Sequence, residues 1–168
     1  METPAANAPV TDGPAGRTRP PHRVYIVEDH PIVREAYVAL FDAEDDLHVV
    51  GSSGSAEAAI LDLNGFESDI AVVDVGLLDP GARMNGIHLT GQLHRLRPRL
   101  RVLVVSAHDE TVYAEQALKA GARGYLMKHE ASENLVAAVR LVLLGGVALS
   151  GRMRKRLPEA LFAPLPPL

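Results

Sequence analysis

Five short apolar runs alternate with segments of helical character along residues 23–147, and four of the runs end on polar residues of different kinds. Val24-Tyr25-Ile26-Val27 ends on Glu28-Asp29, and Ile70-Ala71-Val72-Val73 ends on Asp74. Val102-Leu103-Val104-Val105 ends on Ser106, and Gly124-Tyr125-Leu126-Met127 ends on Lys128. Unbroken apolar runs of this length fit strands buried on both faces. Helical crossovers between them demand parallel pairing and right-handed connections. A three-layer α/β architecture satisfies both conditions: a doubly wound, five-stranded parallel sheet. Ligands bind such sheets at the carboxyl ends of the strands. Three carboxylates, a hydroxyl and an ammonium are then expected along one sheet edge.

Local signals place the elements. Strand 1 is expected at about 23–28, with a helix from Pro31 to about Ala43. Pro31 falls in the first turn, where a missing N–H costs least. Leu47–Ser52 reads as a short strand, and Ser55 as the cap of a helix that Asn64-Gly65 ends. Asp69–Asp74 is expected as strand 3, followed by the turn-forming stretch Leu78-Asp79-Pro80-Gly81-Ala82. A helix from about Asn85 to Arg97 precedes strand 4 at Leu100–Ser106. Asp109 and Gly121 bracket the next helix, Arg123–Met127 is strand 5, and Ser132 is expected to cap a final helix to about Gly145. Spacing does not determine strand order. The common order 2-1-3-4-5 would bring Glu28, Asp29 and Asp74 together.

Nine of the 12 prolines lie outside residues 23–150, so the folded unit is expected in the middle. Residues 1–22 read as a disordered tail, 23–147 as one domain, and 148–168 as a short basic and proline-rich tail. A net charge of −4 argues against a chain devoted to nucleic acid. The absence of cysteine excludes disulfides and thiolate metal sites. No apolar run is long enough to span a bilayer, and Met1–His22 lacks the apolar core of a secretion signal. A soluble, cytoplasmic protein is expected.

Clustered carboxylates repel one another, and a divalent cation removes that penalty. Mg²⁺ prefers hard oxygen ligands, commonly one or two carboxylates together with phosphate oxygens. Glu28, Asp29 and Asp74 fit that chemistry. A carboxylate can also accept a phosphoryl group as a nucleophile. Lys128 and Ser106 are suited to steady such a group by charge and hydrogen bond.

These residues carry a resemblance. Val-Glu-Asp-His at 27–30, Val-Val-Asp-Val at 72–75, Val-Ser-Ala at 105–107 and Gly-Ala-Arg-Gly-Tyr-Leu-Met-Lys at 121–128 resemble the receiver domain of two-component response regulators. The likeness covers roughly residues 23–147 and is nearest to the NarL/FixJ-like subfamily, which usually carries a LuxR-type helix-turn-helix. It implies a flavodoxin-like sheet, Asp74 as phosphoacceptor, and Mg²⁺ held by Glu28, Asp29, Asp74 and the Gly76 carbonyl. It implies that Ser106 and Lys128 read the phosphoryl group, and that Tyr125 is an aromatic switch turning inward when Ser106 moves. A sensor histidine kinase or phosphotransfer protein would be the donor, and another protein the downstream target.

Two departures from the family pattern stand out. The loop at 77–85 is longer than usual, which bears on kinase docking. The residues after Ser150 are too few for a helix-turn-helix with its supports, so a stand-alone receiver without direct DNA binding is expected. The basic run Arg152, Arg154, Lys155 and Arg156 reads as solvated. The apolar excess of the final helix, from Leu135 to Leu144, suits either a homodimer face or cover by the chain's own tail. His30, His108 and His129 follow strand ends; they could gather near the acidic pocket and tune it around neutral pH, but exposed loop residues are expected. Such a protein is not an enzyme on an outside substrate; it takes part only in its own phosphotransfer and dephosphorylation. The alternatives are a receiver used as a phosphate-independent binding module and a DNA-binding regulator cut short. A phospho-aspartyl phosphatase would need a second Asp at Gly76, and an FMN binder would be repelled by Glu28-Asp29.

Overall fold

The computed structural model describes residues 19–77 and 85–168. Most of the expected loop 77–85 and residues 1–18 of the expected N-terminal tail lie outside the described residues. Five parallel strands form one sheet in the order β2-β1-β3-β4-β5. They are β1 (His22–Val27), β2 (Leu47–Ser53), β3 (Ile70–Asp74), β4 (Arg101–Ser106) and β5 (Tyr125–Met127). The helices are α1 (Pro31–Asp42), α2 (Ala56–Gly65), α3 (Gly86–Leu96), α4 (Glu110–Ala120), α5 (Lys128–Leu143) and α6 (Gly151–Arg156). Among the described residues no helix is long and apolar enough to cross a membrane.

The period-2 alternation of the strands builds two cores, one on each face of the sheet. Tyr25, Val27, Val73, Val102 and Val104 pack with Leu63, Leu89, Leu93 and Ala117 of α2, α3 and α4. Val24, Ile26, Val72, Leu103 and Val105 pack with Phe41 of α1 and Leu135, Val139 and Val142 of α5. Each large apolar side chain so buried contributes about 1.5–3 kcal/mol. Register then sets the functional edge. Val27 pairs with Val73 and Asp74 with Val105, so the residues just past these strands share one border.

The capping signals mostly act as read. Ser55 accepts from the Ala58 N–H, and Asp109 from the Thr111 N–H. Gly121 ends α4 in the left-handed region at φ 113°. Ser132 does not cap the final helix. β5 is so short that α5 starts directly after it, with Met127 at its cap, and Ser132 lies in the helix's second turn.

The tail boundaries also change. His22 already belongs to β1. At the other end, Tyr125 N–H donates to Ala148 O (2.9 Å) and Ala148 N–H to Arg123 O (3.0 Å), so the chain returns alongside β5. Met153 of α6 and the following Leu157 are buried in the same core as α4. The basic side chains of α6 remain exposed, as read. Beyond a 3-10 turn at Glu159–Phe162, the chain crosses beneath the sheet, where Leu165 and Leu168 N–H groups donate to Gly145 O and Leu143 O. Residues 148–168 are therefore packed structure, and they cover part of the apolar excess of α5. Leu141 and Leu144 stay exposed.

At the amino-terminal edge, Arg23 holds Asp69 by Nη2 to Oδ1 (2.9 Å) and by its backbone N–H to Oδ2 (2.8 Å). Burial pushes the Asp69 carboxyl up, but the bonds from Arg23 outweigh it and leave the group below its usual range. A lowered folded value gives stability that is full at neutral pH and lost as pH falls through that value. The melting temperature should therefore drop once pH falls below about 4. Asp69→Asn should flatten that drop. Melts of both proteins across the acid range check this, and parallel curves would refute it.

Candidate functional site

The carboxyl ends of β1, β3 and β5 bring Glu28, Asp29, Asp74 and Lys128 together. Glu28 is 1% and Asp74 4% exposed, although both follow runs that end at the sheet border. Lys128 Nζ lies 2.8 Å from Glu28 Oε2 and 3.2 Å from Asp74 Oδ2, so one ammonium bridges two buried carboxylates. The Gly76 N–H donates to Asp74 Oδ1 at 3.0 Å. Arg34, which sequence reading passed over, donates from Nη1 to Glu28 O at 2.7 Å and steadies the turn after β1. Nothing in its spacing marked it out.

The electrostatics follow from this arrangement. Burial and then the Glu28 charge push the Asp74 carboxyl up, against the Gly76 N–H and Lys128. Burial opposes the charge on Lys128, but its bond to Glu28 and the Asp74 charge hold its pKa above the ordinary value. Lys128 therefore stays cationic beside a carboxylate that is costly to ionise.

His30 belongs to the cluster. Its ring is 60% exposed, yet Nδ1 lies 3.1 Å from Glu28 Oε1 and 3.0 Å from Asp29 Oδ1. The Glu28 bond and then the Asp29 charge raise its pKa. His108 is the exposed loop residue expected and packs against the Tyr113 ring at 5.2 Å, whereas His129 is exposed but lies in the first turn of α5 rather than in a loop. Ligand atoms of Glu28, Asp29, His30 and Asp74 all lie within 4.8 Å of one another. Two buried carboxylates, a third beside them and hard oxygen donors fit a divalent cation such as Mg²⁺.

Ser106 is fully buried and lies one residue past the β4 partner of Asp74. Its Oγ accepts from the His108 N–H at 3.0 Å. Tyr125 is 3% exposed, and its hydroxyl donates to His108 O at 2.9 Å. The aromatic side chain thus already lies inward, and one residue, His108, joins Ser106 to Tyr125.

Lys128→Met keeps the stem and removes the charge, leaving the buried Glu28 and Asp74 to repel each other. Breaking a buried ion pair from one side costs about 3–5 kcal/mol. The partial exposure of Lys128 sets the expectation at the low end, about 3 kcal/mol. Thermal melts should show the loss, with partial recovery on adding Mg²⁺. An unchanged melt would mean that the ammonium is not what balances these carboxylates.

Comparisons with known proteins agree with this fold. Residues 24–140 match the model of the response regulator receiver domain. The transcriptional regulatory protein UhpA of Salmonella typhimurium is 34% identical over 142 residues, which is 84% of this chain and 69% of that protein. The DNA-binding transcriptional activator DevR/DosR of Mycobacterium tuberculosis is 35% identical over 130 residues, 77% of this chain and 58% of that protein. A LuxR-family two-component response regulator from Aurantimonas sp. SI85-9A1 has a similar structure, with TM-score 0.73 and 31% identity over 80% of this chain and 94% of that one. The isolated REC domain of RcsB from Salmonella enterica serovar Typhimurium, with the phosphomimetic BeF3-, shares the fold at TM-score 0.72 and 21% identity, over 82% of this chain and 99% of that one.

Proposed function

Because the chain belongs to the response regulator receiver domain family, we propose that it accepts a phosphoryl group on Asp74 from a sensor histidine kinase or phosphotransfer protein and passes the signal on by changing protein–protein contacts. The observation that carries this reading is the Lys128 ammonium set 2.8 Å and 3.2 Å from two buried carboxylates. Such a site must gain positive charge before it can take on a phosphoryl group. Mg²⁺, when bound through Glu28, Asp29, Asp74 and the Gly76 carbonyl, supplies that charge.

This chain's residues do the rest. An Asp74 carboxylate oxygen attacks phosphorus, the bond to the donor histidine nitrogen breaks, and its electron pair stays on the imidazole. Lys128 turns from the carboxylate to the incoming phosphoryl oxygens. The Ser106 hydroxyl leaves the His108 N–H to donate to the phosphoryl group, a charge-assisted bond stronger than the one it gives up. His108 also carries the Tyr125 hydroxyl on its carbonyl, so the shift reaches the α4–β5 surface. Water later attacks the phosphorus and regenerates Asp74. In this reading the protein works in the cytoplasm and turns over no outside substrate.

The test is intact-mass measurement after incubation with acetyl phosphate. One phosphoryl group should be gained with Mg²⁺ and none without it. No gain under either condition would overturn the reading in favour of a phosphate-independent binding module. Asp29→Ala should weaken Mg²⁺ binding at least roughly tenfold. The melting point should change little, because relief of carboxylate repulsion offsets the lost contacts. Mg²⁺ titration of both proteins checks this, and equal affinity would remove Asp29 from the metal site.

A further inference from the structure

The opposite edge of the sheet presents a different chemistry. Arg101 opens β4 and is 6% exposed. Its Nη2 donates to Pro166 O, while its Nη1 is buried without a partner. Arg123, just before β5, donates from Nη2 to Ala163 O (2.8 Å) and Gly145 O (3.1 Å), and its Nε is likewise buried without a partner. Among the described residues no carboxylate lies within 4 Å of either guanidinium. The two cations also act on each other, since burial and then the Arg101 charge lower the Arg123 pKa.

A buried charge without a counter-charge is expensive. A lysine in this position would shed its proton, but an arginine keeps its charge. Backbone carbonyls satisfy single N–H groups and leave the net positive charge in place. Arg101 also lines a cavity of about 510 Å³, together with Pro98, Arg99 and the C-terminal residues Leu165, Pro166, Pro167 and Leu168. That volume is in the range of small-molecule sites. One end of the cavity is cationic, and the rest of its wall is proline and leucine.

We propose that this cavity binds a small organic anion, with its carboxylate or phosphate group on the Arg101 guanidinium and a compact apolar body against the C-terminal prolines. Either group can accept a charge-assisted hydrogen bond from the guanidinium, whose Nη2 carries a second hydrogen beyond the one given to Pro166 O. Arg99, exposed at the mouth, adds attraction for entry. The site lies across the sheet from Asp74, so its occupancy is separate from phosphoryl transfer. Two of its walls come from residues 165–167, so a bound anion also ties the C-terminal strap to the sheet.

The test uses the whole chain without Mg²⁺, at constant ionic strength set with chloride, and titrates inorganic phosphate and butyrate by calorimetry. Saturable binding of at least one probe at one site per chain is expected, with a melting temperature that rises with its concentration. A response to phosphate alone marks a phosphate site, and a response to butyrate marks an organic-acid site. Arg101→Met should lose at least tenfold in affinity, and without anion it should melt no lower than wild type. No saturable binding of either probe, or equal binding by Arg101→Met, would overturn the proposal. If Arg101→Met fails to fold, Arg101→Lys decides, since it keeps the charge and loses the guanidinium. A drop in affinity then supports the site, and unchanged affinity for both probes sinks it.

Discussion

Asp74→Asn should abolish phosphoryl labelling and leave the protein folded. The amide oxygen of asparagine is a poor nucleophile, whereas a carboxylate oxygen can form the acyl phosphate. Shape is nearly conserved, so the hydrogen bond from the Gly76 N–H can persist through the side-chain oxygen. The charge balance improves, because burial and the Glu28 charge both work against ionised Asp74. Lys128 remains 2.8 Å from Glu28, so no buried carboxylate is stranded. The melting temperature of Asp74→Asn should therefore equal or exceed that of wild type. Intact mass after acetyl phosphate and Mg²⁺ gives the first readout, and calorimetric melting gives the second. Retained labelling would move the acceptor to another carboxylate of the cluster. Lost labelling with an unfolded protein would show that Asp74 is needed for the fold, and so would leave its role as nucleophile unsupported.

The second large effect lies at a residue with no side chain. Gly86 opens α3, and its N–H donates to Val75 O at 3.1 Å. A Cβ placed there would sit 2.0 Å from the Asp74 carbonyl oxygen and 2.7 Å from its carbonyl carbon. The obstacle is backbone at the end of a central strand, so no rotamer change can relieve it. Either α3 lifts off the sheet or the end of β3 shifts, and Asp74 moves with it. Overpacking of this kind costs about 3 kcal/mol. For a chain of this size that lowers the melting temperature by roughly 6–12 °C. Gly86→Ala should also slow labelling of Asp74. Gly65→Ala, where an added Cβ meets nothing within 4 Å, serves as the control and should stay within about 0.5 kcal/mol of wild type. Equal melting of the two variants would show that the approach of α3 to β3 is looser than it looks.

Much of this was readable from residue order, for physical reasons. Unbroken apolar runs marked buried parallel strands, and the polar residue at each run's end marked the border where the site lies. Caps with a local mechanism, such as Ser55 and Asp109, were legible because the bond is made within three residues. What was missed depends on contacts distant in sequence or on a competing local choice. Ser132 had the right chemistry for a cap, but the three-residue β5 leads straight into α5 and leaves it inside the helix. His30 is the exposed loop residue expected, and the less favoured reading, that it gathers at the acidic pocket, also holds, because the turn after β1 brings Nδ1 back to Glu28 and Asp29. The C-terminal residues were read as a tail because prolines and arginines dominate them. The available signal was apolar spacing: Met153, Leu157 and Leu161 recur at four-residue intervals and turn toward the same core. Arg101 gave no signal at all, since its burial comes from the strap that crosses it.

The return of the chain beside β5 bears on how copies of this protein meet one another. An open sheet has two borders of unpaired amides, and each can recruit a foreign strand. Here Ala148 fills the hydrogen-bonding positions of Arg123 and Tyr125 on one border. Growth of the sheet by adding strands is then left to the β2 side. There the three-residue stretch Gly51-Ser52-Ser53 offers little apolar grip to an intruder. A fragment ending at the close of α5 would keep every group of the acidic cluster and expose the β5 border, turning a shielded rim into an adhesive one.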